Sequence, residues 1–270
     1  MVDAPSVAVL RMEGTNCEQD IARAFAAAGA HSELVHINQI TKGRVARTRE
    51  VSLSDHDILA IPGGFSAGDY VRAGAIFAAR LRASASRELD HFHEERKPIL
   101  GICNGFQVLV ELGLLPGVTA ARTGRPEAVL TNNTSDRYEC RPTLVRAEPG
   151  VCRYTKDMDT DAAVMFPSAH AEGRLLCAPP IDERSLTKAG QVVFRYTTPT
   201  SEAPAFPWNP NGSPGDVAGI TDRTGTVLGL MPHPERALYG WQHPDWTRGR
   251  DPNARGDGLA LFEAIVKAAR

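Results

Sequence analysis

Residues 101–105 place a cysteine between two glycines, in the order Gly-Ile-Cys-Asn-Gly. This is the form of a nucleophile elbow, a sharp strand-to-helix turn in which side chains two residues from the nucleophile would collide with neighbouring backbone. Cys103 would then lie at the C-terminal edge of a strand and at a helix N-terminus, where the helix dipole favours a thiolate. The spacing predicts a nucleophilic thiol, with a buried packing cysteine as the alternative.

A histidine and a glutamate two residues apart, His233 and Glu235, follow an apolar run near the end of the sequence. The proline after His233 favours extended backbone, in which positions i and i+2 face the same side. A catalytic thiol needs a base that removes its proton and a carboxylate that orients the base. We therefore predict a triad of Cys103, His233 and Glu235, with a solvated surface His-Glu pair as the alternative.

Paired glycines, Gly63 and Gly64, directly follow another apolar run. Such a loop can point backbone N–H groups at a developing oxyanion, together with the N–H of Asn104, the residue after the nucleophile. A phosphate loop is disfavoured because no Gly-Lys-Ser/Thr follows, and a plain turn is the remaining alternative. Cys17, the rival nucleophile, has no glycine frame and is interpreted as packing or loop structure.

Short apolar runs alternate with helical patterns in the first half of the sequence, as is typical of parallel strands joined by helices. The predicted strands are residues 7–10, 32–37, 57–62 and 98–102, and the predicted helices are residues 18–28, 74–95 and the segment that follows Cys103. Thr15 and Glu18 have the spacing of a capping box for the first helix. This pattern predicts an α/β fold with a doubly wound, mostly parallel sheet and helices on both faces.

The second half of the sequence has the signature of antiparallel β structure. Apolar runs between residues 128 and 200 lie close together with turn residues between them, and two further runs precede a last helix near 257–269. We therefore expect an antiparallel extension of the fold. No repeat or linker divides the sequence, so a single domain over residues 1–270 is predicted.

Composition excludes several classes of protein. A formal net charge of −2 with scattered Lys and Arg argues against a nucleic-acid groove. The five cysteines are an odd number without a Cys-x-x-Cys pair or zinc spacing, and no metal site is expected. The first residues lack the pattern of a secretory leader, and no apolar run is long enough to span a membrane. These features predict a cytoplasmic protein with reduced thiols.

The cysteine elbow, the Gly-Gly loop and the late His-x-Glu together resemble the class I, or triad, glutamine amidotransferases. Within that family, Gly-Ile-Cys-Asn-Gly-Phe-Gln is most similar to the glutaminase components of phosphoribosylformylglycinamidine synthases. Further segments carry this resemblance along nearly the whole chain, and they lie at residues 13–18, 62–74, 132–139, 170–174, 208–213 and 229–236.

The resemblance implies that Cys103 attacks the carboxamide of glutamine, giving a glutamyl thioester and ammonia. It makes His233 the general base and acid, and Glu235 its orienting partner. Gly64 and Asn104 would supply the oxyanion N–H groups. The residues expected to bind the substrate are Gln107, Gly63 and Phe65.

The same resemblance implies a partner. Ammonia would pass to a separate synthetase subunit that uses ATP and Mg²⁺ to convert formylglycinamide ribonucleotide to its amidine, with or without a third small subunit. This chain itself would need no cofactor. The Asn-rich segments at 132–139 and 207–213 have a composition compatible with an interface, and solvated loops are the alternative.

Two features depart from the family pattern. Ala171 stands where the family usually has glycine, which bears on the shape of that loop, and the region 140–215 is long for a stand-alone subunit. Two other functions also remain open at this stage. One is a glutaminase for another synthetase, such as those making GMP or CTP, and the other is a catalytically silent regulatory module.

Overall fold

The computed structural model describes residues 4–40, 49–119, 126–200, 202–249 and 251–270. Its β-strands, in chain order, are β1 Ser6–Arg11, β2 His31–His36, β3 Ile58–Ile61, β4 Ile99–Ile102, β5 Ala128–Thr131, β6 Glu139–Ala147, β7 Ala163–His170, β8 Arg174–Cys177, β9 Val192–Thr197, β10 Val217–Thr221 and β11 Val227–Leu230. Its α-helices are α1 Glu18–Ala27, α2 Ile37–Ile40, α3 Ala75–Glu94, α4 Asn104–Glu111, α5 Glu183–Lys188 and α6 Leu259–Ala268.

Nine of these strands form one sheet, in the order β2-β1-β3-β4-β11-β10-β9-β6-β7. The pairs from β2 to β11 are parallel, and the pairs from β11 to β7 are antiparallel. Strands β5 and β8 form a separate antiparallel pair. The predicted fold class is confirmed, and the antiparallel extension proves to be a continuation of the same sheet.

The parallel half is buried between helices. All four residues of β3, β4 and β11 are buried, as expected for parallel strands covered on both faces. Helices α1 and α6 pack on each other, with Phe25 and Phe262 in edge-to-face contact at 5.1 Å between ring centroids. Helices α3 and α4 form a second packed pair.

Strand β11 joins the two halves. It pairs in parallel with β4, so that Leu230 lies opposite Ile102, and antiparallel with β10 on its other side. Because β4 and β11 run in the same direction, the residues that follow them emerge at one edge of the sheet. Those residues include Cys103 and His233.

The capping box predicted for α1 is wrong. The helix begins at Glu18 with Cys17 as its N-cap, and no side chain caps it. The Thr15 hydroxyl instead accepts a hydrogen bond from the Met12 N–H at 3.2 Å, and Thr15 forms a β-bridge with Gly64. The hydrogen bond to Thr15 stabilises the turn within the β1–α1 loop. The β-bridge holds that loop against the Gly-Gly segment.

Candidate active site

Cys103 lies in a strained turn between β4 and α4. Its φ of +53° is left-handed, which is uncommon for a residue other than glycine. A Cβ at Gly105 would lie 1.9 Å from the carbonyl oxygen of Ile61, and one at Gly101 would lie 2.6 Å from the carbonyl oxygen of Gly105. Both glycines are thus required by close packing, which is the physical basis of the predicted elbow.

His233 and Glu235 form a buried pair. His233 Nδ1 lies 2.6 Å from Glu235 Oε1, and both side chains are almost fully buried. The predicted extended backbone is not what joins them: Glu235 lies in a 3₁₀ turn, Pro234–Arg236, that starts directly after His233. The turn, which Pro234 opens, brings the carboxylate back to the ring.

The surroundings of His233 favour its protonated form. Burial alone would lower the pKa of His233, but the charge of Glu235 and interactions with the Cys103 and Cys17 thiols outweigh burial. The pKa is therefore raised well above its ordinary value of 6.5. Nε2 makes no hydrogen bond of normal geometry within the described residues. The ring can thus exchange a proton at Nε2 while Glu235 holds Nδ1.

The cysteine and the histidine are brought together by the strand ends. The Cys103 N–H donates to the Leu230 carbonyl at 2.8 Å, and the His233 N–H donates to the Pro167 carbonyl at 2.7 Å. A Cβ at Gly63 would meet His233 Cε1 at 2.9 Å, Cys17 Sγ at 3.2 Å and Cys103 Cβ at 3.4 Å. Glycine at 63 is therefore what lets the ring and both cysteines meet.

The Gly-Gly loop closes the other side of the turn. Gly64 has a φ of +143°, and the N–H of Phe65 is already bonded to the Gly14 carbonyl at 3.0 Å. Within the described part of the chain, the N–H groups of Gly64 and Asn104 donate to no carbonyl. These two predicted oxyanion donors are therefore free to bind a ligand oxygen, whereas the Phe65 N–H is not.

A cavity of about 430 Å³ opens beside Cys103. Of the predicted substrate residues, Gln107 and Phe65 line it, while Gly63 packs behind it against the ring of His233. Gln107 is held in place because its Nε2 donates to the Glu172 carbonyl at 2.6 Å and its Oε1 accepts from Asn104 at 2.9 Å.

Several residues in the cavity wall were not predicted from the sequence. They are Asn16, Cys17, Asp69, Tyr138, His170, Glu172 and Arg236. Cys17 is more than packing, since its Sγ accepts a hydrogen bond from Arg236 Nη2 at 3.1 Å. The motif spacing of Cys17 carries no sign of this contact. The contact of Cys17 with the site becomes visible only in the folded chain, where Cys17 lies beside Gly63 and His233.

Three residues of the site offer potential metal ligands. Cys17, His233 and Glu235 each bring one ligand atom within 4.8 Å of the others. Glu235 already holds the His233 ring, and Cys17 already holds Arg236. Each of the three side chains therefore already has a contact within the protein.

The departure at Ala171 has no conformational cost. Ala171 is not among the described residues that have a positive φ. Its carbonyl accepts a hydrogen bond from the Asn133 N–H at 2.9 Å. The glycine that the loop needs is Gly173, where a Cβ would lie 2.5 Å from His170 Nδ1.

A strained cysteine, a buried imidazole–carboxylate pair and the unbonded N–H groups of Gly64 and Asn104 lie in the segments that follow β3, β4 and β11, an arrangement suited to acyl transfer. In agreement with this, the chain belongs to the family of CobB/CobQ-like glutamine amidotransferase domains, whose model matches residues 4–267.

The relatives specify the branch of that family. The chain is 46% identical to the phosphoribosylformylglycinamidine synthase subunit PurQ of Archaeoglobus fulgidus, over 96% of this chain and 95% of that one. It is 41% identical to the subunit of the same name from Picrophilus torridus, over 99% and 100% of the two chains.

Solved structures agree on the fold. A chain of the PurLQS structure from Thermotoga maritima superposes with a TM-score of 0.71 at 28% identity, covering 99% of this chain and 100% of that one. The glutaminase domain of a Trypanosoma brucei CTPS, solved with acivicin, superposes with a TM-score of 0.58 at 14% identity, over 98% and 93%. That second likeness concerns the fold alone. Among the described residues, no helix has both the length and the apolar character that a membrane crossing needs.

Proposed function

We propose that this chain is the glutaminase subunit of a phosphoribosylformylglycinamidine synthase. The observation that carries the proposal is that Cys103, at φ +53°, and His233, whose Nδ1 lies 2.6 Å from Glu235 Oε1, line the same cavity. Relatives that bear this name match nearly the full length of the chain.

The proposed reaction begins when the Cys103 sulfur attacks the side-chain amide carbon of glutamine. The N–H groups of Gly64 and Asn104 stabilise the oxyanion of the tetrahedral intermediate. Protonated His233 donates its Nε2 proton to the departing ammonia, which leaves a glutamyl thioester on Cys103. Neutral His233 then removes a proton from water, and attack by that water releases glutamate.

Ammonia made in this way is useful only to a second active site. We propose that an ATP- and Mg²⁺-dependent synthetase subunit receives it and converts formylglycinamide ribonucleotide to the amidine in purine biosynthesis. A PurLQS structure from Thermotoga maritima contains a chain similar to this one along its whole length, which supports this partner. The chain itself would need no cofactor, and the reaction would take place in the cytoplasm.

The experiment is to replace Cys103 by alanine and to assay the purified complex with its synthetase. Glutamine-dependent amidine formation should be lost, whereas ammonia-dependent formation should survive, because the ATP chemistry lies in the partner. Retained use of glutamine would remove Cys103 from the mechanism. Loss of both activities in a folded, complex-forming variant would contradict the division of labour.

Two alternatives are separated by the same assay. A glutaminase for a GMP or CTP synthetase would hydrolyse glutamine but would not support amidine formation with this partner. A silent regulatory module would produce no glutamate from glutamine with any partner. The intact Cys103, His233 and Glu235 geometry argues against the second alternative.

A further inference from the structure

The side chain of Asn104 joins the cysteine elbow to the Gly-Gly loop. Its Oδ1 accepts a hydrogen bond from the Ser66 N–H at 3.3 Å, and its Nδ2 donates to Asp69 Oδ1 at 3.3 Å. The side chain is 2% exposed and does not line the cavity, so it is not placed to contact the substrate. One buried amide therefore holds the neighbouring loop at two points.

The contacts of Asn104 determine which way its amide points. The Ser66 N–H can only donate, so the atom that faces it is Oδ1. Nδ2 then donates to Gln107 Oε1 at 2.9 Å as well as to Asp69. Gln107 Nε2 in turn donates at 2.6 Å to the carbonyl of Glu172, which can only accept. Backbone groups at both ends thus fix the direction of the whole chain of hydrogen bonds.

The loop that Asn104 holds is strained. Ala67 and Asp69 both have a left-handed φ of +51°, which is uncommon for residues other than glycine. Such backbone persists only where its surroundings hold it in place. Burial raises the pKa of Asp69 to about 6, and the hydrogen bond from Asn104 acts in the opposite direction. Asn104 therefore stabilises the ionised form of Asp69 at the end of this loop.

The same loop carries one of the two predicted oxyanion donors, the Gly64 N–H. The Gly63 carbonyl and the Phe65 N–H make the hydrogen bonds to the β1–α1 loop, so the Gly64 N–H between them points away from that loop. Two residues after Gly64, the Ser66 N–H is taken by Asn104. The contact with Asn104 thus fixes the backbone next to the Gly64 donor.

We infer that the side chain of Asn104 is a positioning residue for the oxyanion hole. The inference rests on the proposed function. The backbone N–H of Asn104 would be one oxyanion donor, while its side chain, through Ser66 and Asp69, holds the loop that supplies the other, Gly64. Because these donors act mainly on the charge that develops in the transition state, loss of the side-chain contacts should lower kcat and leave KM little changed.

The experiment replaces Asn104 by leucine, which has a similar size and makes no hydrogen bond. Glutamate release is measured with the synthetase-bound chain near pH 8, where Asp69 is ionised. Removing an oxyanion donor outright costs about 10²–10³-fold in kcat, and this variant only displaces one, so kcat should fall by about 10–100-fold. KM for glutamine should stay within about threefold of wild type.

Asn209→Leu is the matched control. The Asn209 side chain is also buried, accepts from the Gly212 N–H at 2.8 Å and donates to Asp216 Oδ1 at 2.8 Å. It does not line the cavity. Both variants lose the same kinds of hydrogen bond, so a general loss of stability would affect both. Asn209→Leu should keep kcat within about twofold of wild type.

A second measurement separates the oxyanion hole from the thiol. Methyl methanethiosulfonate transfers a methylthio group to a thiolate and contains no carbonyl, so its reaction needs no oxyanion hole. The rate of modification at Cys103, followed by peptide mass spectrometry, should stay within about threefold of wild type in Asn104→Leu. Damage to the elbow itself would slow this reaction together with glutamine turnover.

A rescue keeps the test decisive even if Asn104→Leu does not fold. Asn104→Asp still accepts from the Ser66 N–H, but it sets two carboxylates against each other and loses the donor to Asp69. Combining Asn104→Asp with Asp69→Asn restores one donor and one acceptor with the same net charge. The double variant should recover kcat by at least about fivefold over Asn104→Asp alone.

The outcomes are distinguishable. If wild type in the complex releases no glutamate from glutamine, the proposed function fails and the inference fails with it. If wild type is active, the inference alone is overturned when Asn104→Leu keeps its kcat, or when kcat and the methylthio transfer fall together. A double variant that recovers no kcat over Asn104→Asp would also overturn it.

Discussion

His233 has its two ring nitrogens in different surroundings. Nδ1 is fixed 2.6 Å from Glu235 Oε1, while Nε2 faces the thiol side of the site without a hydrogen bond among the described residues. This asymmetry assigns the carboxylate to orientation and leaves Nε2 for proton exchange. The chemistry should therefore depend more on the ring than on the carboxylate.

We expect His233→Ala to lower glutamine-dependent turnover by about 10²–10⁴-fold at saturating glutamine, because it removes the general acid and base. Glu235→Gln should cost less, since it keeps a side chain of the same shape and loses control of the tautomer. The measurement is glutamate release by the complex. Near-normal turnover in His233→Ala would require another base, and His170, which lines the same cavity, would be tested next.

The pKa of Asp69, raised to about 6, gives substrate binding a pH dependence. The other titratable groups of the cavity wall are Cys17, Cys103, Tyr138, His170, Glu172, His233 and Arg236. As pH falls through about 6, Asp69 gains a proton and loses the negative charge that would attract the positively charged amino group of glutamine.

KM for glutamine should therefore rise below pH 6 and level off above it, while Asp69→Asn should have a high KM with less change across that range. The measurement is KM for glutamine from pH 5 to 8 in both proteins. A parallel rise in the variant would assign the pH effect to another group.

At the scale of elements, the site depends on three connections that leave neighbouring strand ends: the turn after β3, the elbow after β4 and the turn after β11. The elbow is the most crowded, since Gly105 packs directly on the carbonyl of Ile61. Gly105 does not have a left-handed φ. Glycine is therefore required at this position by the short contact with Ile61 alone. Gly113 at the end of α4 is the opposite case, with φ +74° and open space around it.

Gly105→Ala should therefore destabilise the protein far more than Gly113→Ala. A Cβ at 1.9 Å from Ile61 O forces β3 and α4 apart, whereas alanine at Gly113 meets only left-handed strain of about 1–2 kcal/mol. The measurement is the free energy of unfolding in urea. Equal losses in the two variants would mean that the β3–α4 contact is looser than the structure has it.

Strands β3 and β4 were predictable because each is a short apolar run beside a proline, Pro62 after β3 and Pro98 before β4. Helix α4 was predictable from its apolar face and from Gly113 just beyond its end. The strand ends then gave the general position of Cys103, His233 and the Gly-Gly loop. The cavity-wall residues Asp69, Glu172 and His170 could not be predicted in the same way. They lie at the end of a 3₁₀ helix, in the bend between two strands and at a strand end. Their placement depends on contacts between distant segments, such as Asn133 with His170.

The Asn-rich segments at 132–139 and 207–213 contain several buried polar side chains. Asn133, Asn209, Asn211 and Ser213 are buried, and Asn211 Oδ1 accepts from the Ser213 hydroxyl while Ser213 in turn accepts from the Leu175 N–H. These residues hold loops together inside the molecule. The exposed residues in and near these segments, such as Trp208 and Tyr138, are the ones still available to a partner.

At the scale of the whole molecule, large apolar side chains are exposed around the cavity. Phe65 and Tyr138 line it and are more than half exposed, and Tyr70 and Val71 follow in the next loop with 90% and 71% exposure. An apolar, aromatic rim of this kind is typical of a protein interface. We expect the synthetase to dock over this rim.

Tyr70→Ser should therefore reduce the gain in glutaminase rate that added synthetase produces, without changing the rate of the isolated chain. Trp208→Ala should have the same kind of effect if its segment reaches the partner. Val151→Ser is the control, since Val151 packs near Gly225, at the end of β11 away from Cys103. The measurement is glutaminase rate against synthetase concentration. A rate that is already maximal without synthetase would contradict the docking model.

The position of β11 beside β4 has a consequence for how the protein is made. Strand β11 pairs with β4, and its Leu230 carbonyl accepts the hydrogen bond from the Cys103 N–H. Strand β11 and His233, which follows it, are synthesised long after Cys103. A growing chain on the ribosome can therefore expose Cys103 while it still has no imidazole to activate the thiol. Glutamine hydrolysis should begin only after residue 235 has left the exit tunnel. Incomplete chains on the ribosome would therefore not consume cellular glutamine.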